Sequence, residues 1–191
     1  MKIAIISDIH DNAHNLVLAL KEIENSGAEQ ILSLGDFTST GVAKILNLSK
    51  VPVFAIWGNN DGDKMSIIKN APSIVFSEAT HDKIELGDKK IFISHYPDVA
   101  KSMAKSGDFD AVFYGHNHIK NKDRIGDCLV VNPGEIGAVK TKTSTFAIYD
   151  TEKNDAEIYE VKGFINIRTK EVEEYLGEIA NNFNANKKHQ Y

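Results

Sequence analysis

Short apolar runs alternate with helical periodicities along the first half of the chain. Ile3-Ala4-Ile5-Ile6 is a β-branched run ending in a polar loop, which predicts a buried strand. After Asn12 the period changes. Leu16, Leu20 and Ile23 recur at helical spacing with Val17 beside them, and Gly27 follows as a C-terminal stop. Ile31 to Leu34 reads as a second strand, and Val42, Ile45 and Leu46 as a short helix stopped by Pro52. Val53 to Trp57 reads as a third strand. This alternation is the pattern of stacked βαβ units on a sheet.

The second half is richer in strands. Lys83-Ile84-Glu85-Leu86 and Lys90-Ile91-Phe92-Ile93 flank Gly87-Asp88-Lys89, which predicts a hairpin. Pro97 opens a helix to about Ser106. Ala111 to Tyr114, Arg124-Ile125, Cys128 to Val131 and Thr145 to Tyr149 are further strands. The pattern predicts a layered or sandwiched α/β domain over residues 1–162. A separate C-terminal unit follows, 163–191. Its helix runs from 164 to about 183 on the stripe Val172, Tyr175, Leu176, Ile179 and Phe183, and a polar tail closes the chain. That stripe needs cover, either from its own domain or from a second copy in a homodimer.

Composition narrows the function. The 191 residues are 42% hydrophobic and 26% charged, ordinary values for a globular chain. With 22 basic and 27 acidic residues the net charge is -5, which argues against nonspecific nucleic-acid or anionic-membrane binding. The single cysteine, Cys128, excludes a disulfide framework and a cysteine zinc site and reads as core. No apolar run reaches membrane-span length, and Ile3 to Ile6 is too short for a signal sequence, so a cytoplasmic protein is expected.

The chemistry gathers at strand ends. The five runs end in Asp8-Ile9-His10, in Gly35-Asp36, in Gly58-Asn59-Asn60-Asp61, in Ser94-His95 and in Gly115-His116-Asn117-His118. That edge of an α/β sheet is where sites assemble. In extended chain, residues two apart point to one side, which would aim Asp8 with His10 and His116 with His118. A Gly-His-x-His is expected by chance only ~0.02 times at this composition, whereas Asp-x-His alone means little. Four imidazoles, two carboxylates and one amide oxygen suit borderline to hard divalent ions such as Mn²⁺, Fe²⁺, Ni²⁺ or Zn²⁺. Seven side chains exceed the needs of one ion and match two.

In this order and spacing, these residues resemble the calcineurin-like metallophosphoesterases over residues 1 to about 162. Short length and Asn132-Pro133-Gly134 make the chain similar to the small single-domain phosphodiesterase branch (YfcE-type). The resemblance implies a four-layer α-β-β-α sandwich of two mixed β-sheets, the metallo-dependent phosphatase-like fold. It implies that Asp8, His10, Asp36 and His118 hold one metal, and that Asp36, Asn59, His95 and His116 hold the other, with Asp36 bridging. It further implies two divalent ions, chiefly Mn²⁺, and in-line attack on a small phosphate ester by a bridging hydroxide.

The chain departs from the family pattern twice. Many members carry a histidine, the usual leaving-group acid, where this chain has Asn60; an amide has no titratable proton at neutral pH. That favours activated diesters over alkyl monoesters and makes Asn60 a catalytic-site and substrate-contact position. His95-Tyr96-Pro97 stands where some members read His-Gly-His, which removes a phosphate contact. Around this core other readings stay open. Asn12 either touches phosphate or caps the following helix. Asp61 either orients a ligand or begins the turn at Gly62, and His14 lies in the first helical turn. Tyr96 and Phe37 either wall a pocket or pack, and His81 and His189 read as solvent residues. Arg124 and Arg168, the two arginines, stand beside no ligand. The competing functions are a phosphomonoesterase or nucleotide phosphatase, a nuclease, and a non-catalytic scaffold like the retromer subunit of this fold.

Overall fold

The computed structural model describes residues 1–167. Its elements in chain order are β1 (Lys2–Ile6), α1 (Ala13–Asn25), β2 (Gln30–Ser33), α2 (Thr40–Leu46), β3 (Val53–Ala55), α3 (Lys64–Asn70), β4 (Val75–Phe76), β5 (His81–Leu86), β6 (Lys89–Ser94), α4 (Pro97–Ala104), β7 (Ala111–Tyr114), β8 (Asn121–Ile125), β9 (Cys128–Asn132), β10 (Thr145–Asp150) and β11 (Asp155–Glu160). They build two mixed sheets. One has six strands in the order β11-β10-β1-β2-β3-β4, the other five in the order β5-β6-β7-β9-β8. In the first sheet β1 to β4 are mutually parallel and β10 and β11 antiparallel. In the second, β6, β7 and β9 are parallel and the edge strands β5 and β8 antiparallel.

Period-two alternation explains the layering. In β1, Ile3 and Ile5 face the second sheet, while Ala4 and Ile6 face the helices. In β6, β7 and β9, Ile91, Ile93, Phe113, Leu129 and Val131 face inward, while Phe92, Val112, Tyr114 and Val130 meet α4. Helices α1, α2 and α3 cover the first sheet through Leu16, Ala19, Ile23, Val42, Leu46 and Ile67. The result is the four-layer α-β-β-α sandwich. Cys128 is a buried core residue, with burial pushing its thiol up to about 11.

Several details differ from the sequence pattern. The third strand stops at Ala55, and Trp57 belongs to the loop beyond it, where its Nε1 donates to the Ser77 carbonyl at 2.8 Å. Three elements escape the apolar pattern, α3 with only Ile67 buried, the two-residue β4 with none and β11 with only Ala156 buried. Residues 164–167 form no helix. Phe164 instead packs on the core beneath α1, and Ile165 is hydrogen-bonded to Asn12 and Asn15 at the start of that helix. The expected stripe from Val172 to Phe183, together with His189 and Arg168, lies outside the described residues. Among the described residues no helix is long and apolar enough to cross a membrane.

Candidate metal centre

Strands β1, β2 and β3 of one sheet and β6 and β7 of the other deliver their following loops to one edge of the sandwich. Backbone bonds lock these loops together. Asp8 N donates to Gly35 O at 3.1 Å, Ile9 N and His10 N to Asp36 O at 2.9 and 3.1 Å, and Gly115 N to His95 O at 3.2 Å. The approach is close enough to exclude side chains. A Cβ on Gly58 would meet the Asp36 carboxylate, and one on Gly115 the Ser7 hydroxyl.

Asp8 and His10 converge for a different reason from the extended-chain one. Both have left-handed backbone, φ 54° and 46°, and so do Asp36 at 58°, His116 at 70° and His118 at 68°. The ligand-type side chains are aimed by tight turns past the strand ends, in a region that non-glycine residues seldom occupy. The outcome is nonetheless a single cluster of the seven predicted side chains.

On one side, His10 Nε2 and His118 Nε2 stand 3.2 Å apart. They lie 3.7 and 3.4 Å from Asp8 Oδ1, and His10 Nε2 is also 3.5 Å from Asp36 Oδ2. On the other side, Asn59 Oδ1 lies 2.9 Å from His95 Nε2 and 2.8 Å from His116 Nδ1. Those two nitrogens are 3.3 Å apart, and His95 Nε2 is 3.6 Å from Asp36 Oδ2. Asp36 therefore lies between the two halves. Asp8, His10 and His118 form one compact donor group and Asp8, Asp36 and His95 another.

The donor set fits divalent ions on an observation independent of residue type. Asp8 Oδ1 is buried and has no hydrogen-bond partner. A carboxylate oxygen stripped of water and left without a donor is costly unless a cation meets it. Oxygen and imidazole donors without thiolate suit borderline to hard metals.

Electrostatics within the metal-free cluster are mutual. Burial works to raise the Asp8 carboxyl, but the imidazoles of His10 and His118 and the Ser7 hydroxyl outweigh it and hold it below the usual carboxylate value. Burial works to lower His10, and the Asp8 and Asp36 carboxylates reverse this and raise it. His116 is lowered, by burial and by the neighbouring His95.

Surrounding residues hold the donors in place. Asp8 Oδ2 accepts from Ser7 Oγ at 2.6 Å and His116 N at 3.0 Å. His95 Nδ1 contacts the Leu34 carbonyl at 2.8 Å. Asp61 organises loops: its carboxylate accepts from Asp36 N at 3.0 Å, Gly58 N at 2.7 Å and Thr38 N at 3.0 Å. Asn60 donates to Asp36 twice, from its backbone N and its Nδ2, both at 2.8 Å. Tyr96 packs its ring at 5.1 Å from both His95 and His116, on the rim, whereas Phe37 is core.

Asn12 belongs to the scaffold. It is 3% exposed, its Oδ1 caps α1 at Asn15 N, and its Nδ2 donates to the Gly137 and Ile165 carbonyls. Every one of these bonds goes to backbone, and they match the capping alternative. His14 and His81 are exposed, and Arg124 bonds the carbonyls of Asp127 and Asn154. Glu135 was not singled out in the sequence. It is fully buried, and its Oε2 lies 2.6 Å from His118 Nδ1. The available signal is that Glu135 is the one charged residue between Cys128 and Val139. Burial works to raise its carboxyl, but hydrogen bonds from His118, Thr141 and Val139 hold it below its ordinary value.

The calcineurin-like phosphoesterase superfamily domain matches residues 1–154. Phosphodiesterase MJ0936 of Methanocaldococcus jannaschii is 35% identical over 159 residues, 81% of this chain and 96% of that protein. The solved structure of an archaeal phosphodiesterase superposes with a TM-score of 0.76 at 32% identity, over 84% of this chain and 99% of the other. YfcE, a phosphoesterase from E. coli, superposes with a TM-score of 0.62 over 85% and 100% of the two chains. At 19% identity that last likeness is one of fold.

Proposed function

The chain belongs to the calcineurin-like phosphoesterase superfamily, and from this premise we propose that it is a phosphodiesterase working with two divalent metal ions. The observation that carries the reading is the cluster itself, four imidazoles, two carboxylates and an amide oxygen around a buried Asp8 oxygen that lacks a donor. Phosphodiesterase MJ0936, 35% identical across most of both chains, supports the choice of diester.

In this reading Asp8, His10, Asp36 and His118 hold one ion, Asp36, Asn59, His95 and His116 the other, and Asp36 is shared. Divalent ions held there supply acidified water and positive charge against the phosphoryl oxygens. The resemblance favours Mn²⁺, while the oxygen and imidazole donors taken by themselves suit Fe²⁺, Ni²⁺ and Zn²⁺ as well. The protein's own contribution is preorganisation. Its turns fix the donors before substrate arrives, so little reorganisation remains at the moment of reaction.

Asn60 sets the substrate class. It offers N–H groups to Asp36 and has no proton to give a leaving group. An ester whose leaving group departs as a stable anion needs none, which selects small activated diesters over alkyl monoesters. The test is a panel of aryl diesters, alkyl diesters and monoesters assayed against Mn²⁺, Fe²⁺, Ni²⁺ and Zn²⁺, with metal content measured in parallel. We expect two equivalents of metal, loss of hydrolysis on chelation, and the highest turnover on aryl diesters. Hydrolysis that persists at one equivalent or fewer would overturn the paired-ion reading.

A further inference from the structure

We propose that Glu135 is the positioning residue of the site: its carboxylate fixes the tautomer and the orientation of His118 and ties that histidine to the loop of residues 138–141. The proposal rests on the reading of His118 as a metal-holding residue and extends it to a side chain outside the ligand set.

Glu135 Oε2 receives His118 Nδ1 at 2.6 Å and Val139 N at 2.9 Å. Its Oε1 receives Lys140 N at 2.9 Å, Thr141 N at 2.6 Å and Thr141 Oγ1 at 2.8 Å. An ionised carboxylate only accepts. A partner at 2.6 Å must therefore be an N–H, which places a proton on His118 Nδ1 and, in the neutral ring, leaves the lone pair on Nε2.

The alternative tautomer has a competing attraction. Asp8 Oδ1 lies 3.4 Å from His118 Nε2 and has no donor. Without Glu135, a proton on Nε2 would turn toward that oxygen and occupy the position a metal needs. Glu135 offers the opposite ring nitrogen a shorter contact and so keeps Nε2 open. An imidazole fixed through its second nitrogen by a carboxylate is a general way to orient a metal-binding histidine.

Position follows from the same segment. Ile136 N and Gly137 N donate to the carbonyls of Ser7 and Asp8, both at 3.0 Å. The acceptor for His118 is thereby built into the chain that holds Asp8. A Cβ on Gly137 would stand 3.0 Å from the Ile9 carbonyl and 3.1 Å from the Asp8 carbonyl, so the two segments run closely packed here. Ala138, next in the segment, turns the chain at φ 53° so that the amides of 139–141 wrap the carboxylate.

The first measurement is on the metal-free wild-type chain. Long-range proton–nitrogen spectra at alkaline pH, with His118 assigned by loss of its signals in His118→Gln, should show Nδ1 protonated and Nε2 bare. A protonated Nε2 would overturn the proposal, and this result needs no variant of Glu135 to fold. The second measurement is chelator competition with Mn²⁺. Glu135→Gln should weaken one of the two binding steps by about 10–100-fold and leave the other unchanged. Thr141→Val removes one bond to the carboxylate but leaves the His118 contact, and should bind Mn²⁺ as wild type does. Equal weakening by both variants would assign the effect to loop anchoring and sink the positioning role, as would unchanged affinity in Glu135→Gln. If wild-type protein binds no divalent ion, the reading of the site fails, and the tautomer measurement still judges Glu135 separately.

Discussion

Five of the seven proposed metal-holding side chains hang from backbone in the left-handed region. Each such non-glycine residue costs about 1–3 kcal/mol and persists only where its surroundings over-determine it. Here the surroundings are nameable: Asp36 is pinned by Asp61 and Asn60, and His116 N by Asp8 Oδ2. The seven stood out because Asp, His and Asn gather at five strand ends, with Gly115-His116-Asn117-His118 the one run of rare spacing. The backbone that aims them was not, since an Asp-Ile-His triplet reads equally well as extended chain. Glu135 was legible only as a lone acid in an apolar stretch, with nothing to say it faced His118. Asn60→His supplies a titratable proton at the rim, so monoester hydrolysis should rise relative to diester hydrolysis in paired assays; an unchanged ratio would remove Asn60 from substrate selection. Glu135 has its folded carboxyl below 4.5, and Asp8 below 3.8. A carboxyl lowered on folding contributes stability that is whole above its unfolded value and lost as pH falls through the folded one. Melting of the metal-free chain should therefore fall steeply below about pH 4.5, and Glu135→Gln should flatten that limb. A wild-type limb as shallow as the variant's would contradict the assignment.

Elements carry the site through their ends more than their bodies. The parallel strands were readable because both faces of β1, β6, β7 and β9 are buried, giving continuous apolar runs. The β5–β6 hairpin was readable from Gly87-Asp88, both of which have positive φ as a two-residue turn of this kind requires. Helix α3 and strands β4 and β11 were not, because each sits at a margin with one or no residue fully buried, so selection for an apolar face is weak. The loops after β2 and β3 are joined by one carboxylate, that of Asp61, which accepts three backbone amides. Asp61→Asn would turn an N–H toward amide donors. We expect a loss of about 1–3 kcal/mol in urea unfolding of the metal-free chain, together with weaker metal binding, because Asp36 sits on one of those amides. Unfolding at the wild-type midpoint would show that the two loops hold without it.

At the scale of the whole molecule, the two sheets meet over Ile3, Ile5, Leu32, Ile91, Ile93 and Phe113, and the site lies where both sheets present strand ends. The chain beyond β11 contributes to this arrangement from outside it. Lys162 N donates to Glu22 at 2.7 Å, Phe164 packs on the core, and Ile165 bonds Asn15 through both its amide and its carbonyl. Asn15 is fully buried, and its Nδ2 also donates to the Ile136 carbonyl, beside the Glu135 segment. Apolar periodicity placed the end of the domain at 162, because a pattern of hydrophobic positions carries no trace of a polar side chain bonding a distant backbone. The contacts predict different outcomes for two truncations. A chain ending at 167 keeps the bonds of Asn12 and Asn15 to Ile165. A chain ending at 162 leaves Asn15 Oδ1 without its donor and Nδ2 with the Ile136 carbonyl alone, at about 1–3 kcal/mol per unmet group, and uncovers the core that Phe164 shields. The shorter chain should therefore unfold at clearly lower urea than the longer one. Because Asn15 and Gly137 link this corner to the Asp8 loop, its metal affinity should fall as well. Identical unfolding of the two truncated chains would mean that residues 163–167 rest on the domain without stabilising it.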